Sequence, residues 1–134
     1  MKTIELPVRT DDRYGLVSIT DEVKDAVRES GVEDGLCIIS STHTTAAITV
    51  NEDYDRDVPR DLASACRAFL GALDVSFDHA EGNSDSHFLT SLFGPSQTLL
   101  VRGGAPDLGR WQGVFLAEFD GPRRRTVRVA VIEA

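Results

Sequence analysis

Two of the chain's three histidines bracket one short polar segment, His79-Ala80-Glu81-Gly82-Asn83-Ser84-Asp85-Ser86-His87. The third, His43, stands in Ser41-Thr42-His43-Thr44-Thr45 between two apolar runs. Neutral imidazole is the commonest protein ligand for transition metals and the usual proton carrier near neutral pH. Residues two apart on extended chain point to the same side, so His79 and Glu81 can reach one ion. Gly82 permits a turn that returns His87 toward that pair. Two imidazoles and a carboxylate with an open coordination position form a common plan for a catalytic metal. The spacing matches no strict metal signature, and histidines satisfied by local hydrogen bonds fit the same residues.

Three further segments carry reactive groups. Asn51-Glu52-Asp53-Tyr54-Asp55-Arg56-Asp57 offers alternating oxygens. A calcium loop starting at Asn51 needs Gly where Arg56 stands and Glu where Leu62 stands, so that reading fails. The plain reading is a polar strand-to-helix connection in which Asp55 or Asp57 caps the helix, with Glu52 as the functional candidate. Leu108-Gly109-Arg110-Trp111-Gln112-Gly113 holds the only tryptophan. It serves as a stacking surface for a planar ring or, on the safer reading, as a packed core side chain. Arg123-Arg124-Arg125 with Arg128 offers guanidinium forks that bind phosphates; alternation in a strand faces Arg124 and Arg125 oppositely. A solvated edge, or salt bridges between subunits in an acidic chain, is the plainer reading.

The elements that must position these groups follow from periodicity. The 134 residues suit one domain, and 41% hydrophobic content supplies one core. Residues 3–9 alternate as a half-buried strand. Thr20-Asp21-Glu22 opens a helix with Thr20 as its cap, and Gly31 ends it. Strands are expected at Gly35–Ser40, Thr45–Val50, Ser96–Val101, Val114–Phe119 and Thr126–Ile132. A second helix runs from Asp57 to about Leu73, with Val58, Leu62, Ala65, Phe69 and Leu73 as its core stripe. His87 to Phe93 starts a short helix or turn. Asp120-Gly121-Pro122 between strand patterns signals a hairpin. The sum is an α+β domain of mostly antiparallel sheets packed together with two principal helices.

Composition excludes some classes. A net charge of −8 argues against nucleic acid as a partner, because phosphate backbones need a basic footprint. It repels phosphorylated small molecules at long range, so such a ligand needs local arginines or a metal. No apolar run approaches the ~20 residues of a membrane span. The expectation is a soluble cytoplasmic protein whose Cys37 and Cys66 are reduced and buried.

Ser41-Thr42-His43-Thr44-Thr45-Ala46-Ala47-Ile48-Thr49-Val50-Asn51-Glu52, followed by Asp55, Asp57 and Asp61, resembles a characteristic block of the YjbQ-like proteins, a family associated with secondary thiamine-phosphate synthase activity. His79-x-Glu81-Gly82-Asn83 through His87, Ser91-Leu92-Phe93-Gly94-Pro95-Ser96, and Gly109-x-Trp111-Gln112-Gly113 with Glu118 are similar to its later blocks, in order. The resemblance spans residues 1–134 as a single YjbQ-like domain. It implies a homotrimer with sites near subunit interfaces, and His43, His79 and His87 as ligands of a divalent metal such as zinc. It also implies a transferase that joins a pyrimidine methyl diphosphate to a thiazole phosphate and releases pyrophosphate, with magnesium serving the diphosphate. Under that reading Glu52, Glu81 and Glu118 are catalytic, and Asn51, Asn83, Trp111, Gln112, Arg124 and Arg125 bind a small phosphorylated ligand. A metal-dependent hydrolase, with Glu81 or Glu52 as base, and a non-catalytic metal- or metabolite-binding trimer are the alternatives.

Overall fold

The computed structural model describes residues 1–79 and 81–134. Strand β1 (Lys2–Arg9) is followed by β2 (Gly15–Ser18), helix α1 (Thr20–Ser30), β3 (Gly35–Ser41) and β4 (Ala46–Glu52). Helices α2 (Asp57–Ala72) and α3 (Ser84–Phe93) come next, then β5 (Ser96–Arg102), β6 (Ala105–Pro106), β7 (Gln112–Glu118) and β8 (Arg124–Glu133). The strands form a five-stranded sheet in the order β1-β8-β3-β5-β6 and a three-stranded sheet in the order β2-β7-β4. Every pairing is antiparallel.

Side-chain alternation explains the layering. In β8, Val127, Val129 and Val131 are buried and join Cys37 and Ile39 of β3 in a core that also takes α1 through Val23, Ala26 and Val27. The small sheet contributes Ile48, Val114 and Leu116 to that core from one face. Its other face presents Ala47 and Ala117 to a second cluster with Phe119, Cys66 and Leu89. Strands β4 and β7 are therefore covered on both faces, which is why their sequences read as nearly continuous apolar runs. Each fully buried Val, Leu or Ile contributes about 1.5–3 kcal/mol. Both cysteines are free and buried, and burial pushes the Cys37 thiol up to about 11.

The α+β class and antiparallel sheets are as expected, with three helices in place of two. Four expectations are corrected. No hairpin forms at Asp120-Gly121-Pro122: β7 pairs with β2 and β4 while β8 pairs with β1 and β3, so this turn carries the chain from one sheet to the other. Thr20 does not cap α1; Ile19 precedes the helix without a side-chain cap. The Thr20 hydroxyl instead donates to Asp53 at 2.6 Å and accepts the Val114 N–H at 2.9 Å. The α2 stripe does not become core, since only Cys66 of that helix is buried and Phe69 is 46% exposed. Finally, Trp111 is not a core side chain but 44% exposed.

Candidate functional site

His43 sits in the connection from β3 to β4, and the end of a strand ladder fixes its ring. The β3–β8 register stops at Ser41 opposite Val127, leaving the next β8 N–H, that of Thr126, without a strand partner on that side. The His43 Nε2 atom accepts this N–H at 2.9 Å, while the Thr42 hydroxyl donates to the Thr126 carbonyl at 3.2 Å. Residues 42 and 43 thus extend the ladder one step with side chains. An imidazole nitrogen that accepts a backbone N–H bears the lone pair, so the neutral ring carries its proton on Nδ1.

His79 and His87 approach from the opposite wall, their ring centroids 5.6 Å apart and nearly perpendicular. His79 Nε2 lies 3.9 Å from a Glu81 carboxylate oxygen. His87 lies in the first turn of α3, and that turn is tied down on two sides. Ser86 donates to the Phe119 carbonyl at 2.6 Å, and Asn83 donates to Asp120 at 2.9 Å. Asp85 accepts from the Tyr14 hydroxyl at 2.5 Å and from Arg13 at 3.3 Å. Burial raises the Asp85 carboxyl, but the bonds from Tyr14, the Ser86 backbone and Arg13 together hold it below its ordinary value. Tyr14 is pushed up by its own burial and by the Asp85 bond.

Between these walls lies a cavity of about 470 Å³ lined by all three histidines, Thr42, Thr44, Thr45, Glu81, Asn83, Asp120, Arg123 and Arg125. Its base is a buried ion pair. Arg125 Nε donates to Glu118 at 2.8 Å, and Arg125 Nη2 donates to the other Glu118 oxygen and to the Thr45 hydroxyl at 2.9 Å. The Thr10 hydroxyl donates to Glu118 at 2.7 Å, and the Asp120 N–H at 3.1 Å. Burial alone raises the Glu118 carboxyl; the bonds from Arg125, Thr10 and Asp120 outweigh it and hold the group below the usual range. His43 is lowered from its ordinary value, first by burial and then by the charge of Arg125, with Glu118 opposing. His43 is therefore a neutral hydrogen-bond donor at neutral pH.

The arrangement does not fit the expected metal centre. The engaged Nε2 leaves His43 presenting an N–H, not a lone pair. Among the described residues no group of three histidine, cysteine or carboxylate side chains is placed to hold an ion. His43, His79, Glu81 and Asn83 do share the cavity with His87. Arg125 lines it as well, and the remaining expected site residues do not present reactive atoms to it. Glu118 is fully buried and saturated by its partners, and Arg125 pairs with Glu118 from the cavity wall instead of lying at a solvated edge. Arg124 lies exposed on the other face of β8, beside Arg9 and Asp11. Asn51 accepts its neighbour's N–H at 2.8 Å, and Gln112 accepts the Gly109 N–H at 2.8 Å, so both serve local turns. Glu52 and Trp111 line a separate cavity with Tyr54, Asp55 and Arg56. It lies at the far end of β4, on the order of 20 Å away at the rise of an extended strand.

Residues passed over in the sequence complete the site, Thr45 and Asp120 with Thr10 and Thr126 behind them, and Arg123 of the arginine run joins them. One signal was present. Glu118 ends the apolar run Val114-Phe115-Leu116-Ala117, and a carboxylate there demands a buried cation.

Residues 4–134 match the family described as UPF0047 protein YjbQ-like. UPF0047 protein MJ1081 of Methanocaldococcus jannaschii is 47% identical over 128 residues, covering 93% of this chain and 90% of its own. UPF0047 protein YugU of Bacillus subtilis is 36% identical over 132 residues, covering 98% of each. Among solved structures, an uncharacterized conserved protein from Clostridium acetobutylicum aligns with a TM-score of 0.91 at 43% identity, over 96% of this chain and 99% of its own. A YbjQ-like protein of unknown function from Sulfolobus solfataricus aligns with a TM-score of 0.92 at 32% identity, over 99% and 97%.

These relatives correct the functional expectation. They are described by family and as uncharacterised or of unknown function, not as thiamine-phosphate synthases. The geometry agrees: Arg125 lines the histidine cavity while Arg124 lies exposed on the other face of β8, and Glu52 and Trp111 line a separate cavity. The metal-dependent alternatives rest on the same three-histidine centre and fall with it. The chain belongs to the UPF0047 protein YjbQ-like family.

Proposed function

We propose that the three-histidine cavity is an acid–base site acting on a small substrate with a carbonyl or phosphoryl oxygen. The convergence of every imidazole in the chain on one polar cavity carries this reading. His43, neutral and fixed by Thr126, donates its Nδ1–H to the substrate oxygen, where developing negative charge strengthens the bond. His79 or His87 accepts or returns the proton, with the Glu81 carboxylate 3.9 Å from His79. Arg123 is bound to Asp120 at 2.9 Å and keeps one guanidinium edge for the substrate.

The test is incubation of the protein with a panel of small carbonyl and phosphoryl compounds in D2O, followed by NMR. Exchange or turnover that His43→Ala and His87→Ala both abolish is the expected result. Activity that survives both variants, or a panel with neither binding nor exchange, overturns the reading.

The working form we infer is a homotrimer in the cytoplasm. Exposed Phe69, Val75, Phe77, Phe88 and Leu92 on and between α2 and α3 support self-association. Two free, buried cysteines suit a reducing compartment. No helix among the described residues is long and apolar enough to cross a membrane. Light scattering that gives a monomer mass refutes the trimer.

A further inference from the structure

A second groove lies between α2 and β2, about 830 Å³ in volume and separate from the histidine cavity. Two contacts orient it. The Ser18 hydroxyl donates to Asp53 at 2.6 Å, just ahead of α2. Arg67, near the other end of that helix, lies 5.8 Å from the Tyr14 ring centre. Strand β2 and helix α2 therefore run antiparallel along the groove, and Arg56 and Arg67 stand on the order of 16 Å apart at the rise of a helix. Arg56, Arg60, Ala63 and Arg67 line it at helical spacing. Arg60 and Arg67 flank Ala63, whose small side chain leaves the floor open between their guanidinium groups.

The charges on its walls do not meet each other. Among the described residues Arg56 and Arg67 form no ion pair, and Arg60 reaches Asp57 only at 3.9 Å. Asp12, in the connection from β1 to β2, lines the groove close to Tyr14 and so at the Arg67 end; it forms no ion pair either. The other charged groups are engaged. Arg13 is bound to Asp85 at 3.3 Å, Asp53 accepts hydroxyls from Ser18 and Thr20, both at 2.6 Å, and Asp55 accepts the Asp57 N–H at 2.9 Å. Three guanidinium groups and one carboxylate thus face the open space without partners.

That pattern selects a guest by charge. A simple cation meets three arginines, and a simple anion leaves the Asp12 carboxylate opposed to it. A molecule with two carboxylates and one ammonium mirrors the free groups, and guanidinium forks match carboxylates in shape as well as charge. Its net charge is small, so the field of a chain at −8 repels it little. The volume falls in the range of small-molecule sites.

We propose that this groove binds a dicarboxylic α-amino acid, its ammonium on Asp12, its α-carboxylate on Arg67 and its side-chain carboxylate on Arg60, with Arg56 one turn beyond. Calorimetric titration of the full chain with L-glutamate and with its longer homologue L-2-aminoadipate is the experiment. Saturable binding of at least one is expected. The matching diacids, glutarate and adipate, lack the ammonium, and L-norvaline lacks the second carboxylate. Each binds about tenfold or more weakly, because a charge-assisted hydrogen bond is lost. Arg67→Ala and Arg60→Ala lower the affinity of the amino acid by a similar factor. Asp12→Asn carries the sharpest readout: it binds the amino acid and the matching diacid alike, a loss of discrimination that a mere disturbance of the loop does not produce. Asp12, Arg60 and Arg67 are exposed, so the variants keep the core, as circular dichroism will verify. The proposal is overturned if neither amino acid saturates, or if a diacid or inorganic phosphate binds as tightly as the amino acid, because the groove then takes anions alone. Parental affinity in Arg67→Ala, or parental discrimination in Asp12→Asn, overturns it as well.

Discussion

Replacing Arg125 by Met tests whether the histidine cavity rests on its buried ion pair. The side chains of Arg125 and Glu118 are 3% and 1% exposed. The variant keeps the volume roughly filled but removes both guanidinium bonds to the carboxylate. Glu118 retains the Thr10 hydroxyl and the Asp120 N–H, with no cation to offset its burial. Breaking one side of a buried pair costs about 3–5 kcal/mol, which for a domain of this size lowers the melting temperature by roughly 10–15 °C. The pH dependence sharpens the test. In the parent, Glu118 titrates below its ordinary value near 4.5, so its contribution is present above that pH and is lost as pH falls through the folded value. In Arg125→Met burial dominates, and the carboxyl is raised above 4.5. Its protonated form then favours the fold at low pH, and stability drops as pH rises through the new value. Urea unfolding at pH 5 and pH 7, read by circular dichroism, measures both effects. The penalty must be larger at pH 7, and Glu118→Gln combined with Arg125→Met must cost less than the two singles added. A loss below about 1 kcal/mol at pH 7, or one equal at both pH values, refutes the reasoning.

Two further outcomes follow from the same geometry. NMR of the imidazoles should find His43 neutral, protonated on Nδ1 and titrating below 6.5, with Arg125→Met moving it upward. The unfolded chain then takes up that proton first, so this contribution to stability is complete above about pH 6.5 and declines as pH falls; a His43 that titrates at or above 6.5 contradicts the placement. At Gly113 an added Cβ would lie 2.3 Å from Asp53 Cβ and 2.5 Å from the Thr20 hydroxyl. Gly113→Ala should therefore cost about 1–3 kcal/mol by prising apart the clasp that joins α1 to the small sheet, and an unchanged unfolding midpoint in urea would show that the clasp yields freely.

Local pattern carried the elements but not their partners. Alternation in Val127, Val129 and Val131 marks β8 as a strand with one core face, and nothing local says whether its neighbour is β7 or β3. Asp120-Gly121-Pro122 has the composition of a hairpin, yet the Glu118 carboxylate must lie inward to meet Arg125 while the chain changes sheets. The short β2 was passed over because Gly15-Leu16-Val17-Ser18 has too few residues to alternate visibly. For α2, the stripe of Val58, Leu62, Ala65 and Phe69 reads as core under helical periodicity. Periodicity reports that a face is apolar; it does not report what covers it.

The site was half legible for a related reason. Rare residue types draw attention to themselves, and three histidines among 134 residues mark the cavity. Their roles depend on atoms that composition hides, namely a backbone N–H left over at the end of the β3–β8 ladder and a guanidinium in the same cavity wall. The N–H selects the tautomer, and the guanidinium helps keep the ring neutral. Together they turn a residue that reads as a metal ligand into a hydrogen-bond donor. The same logic inverts at the far end of β4, where Trp111 and Glu52 stood out singly but Arg56 and Arg67 did not. Their significance is that they lack carboxylate partners in an acidic chain, and only a fold can show which charges are left without one.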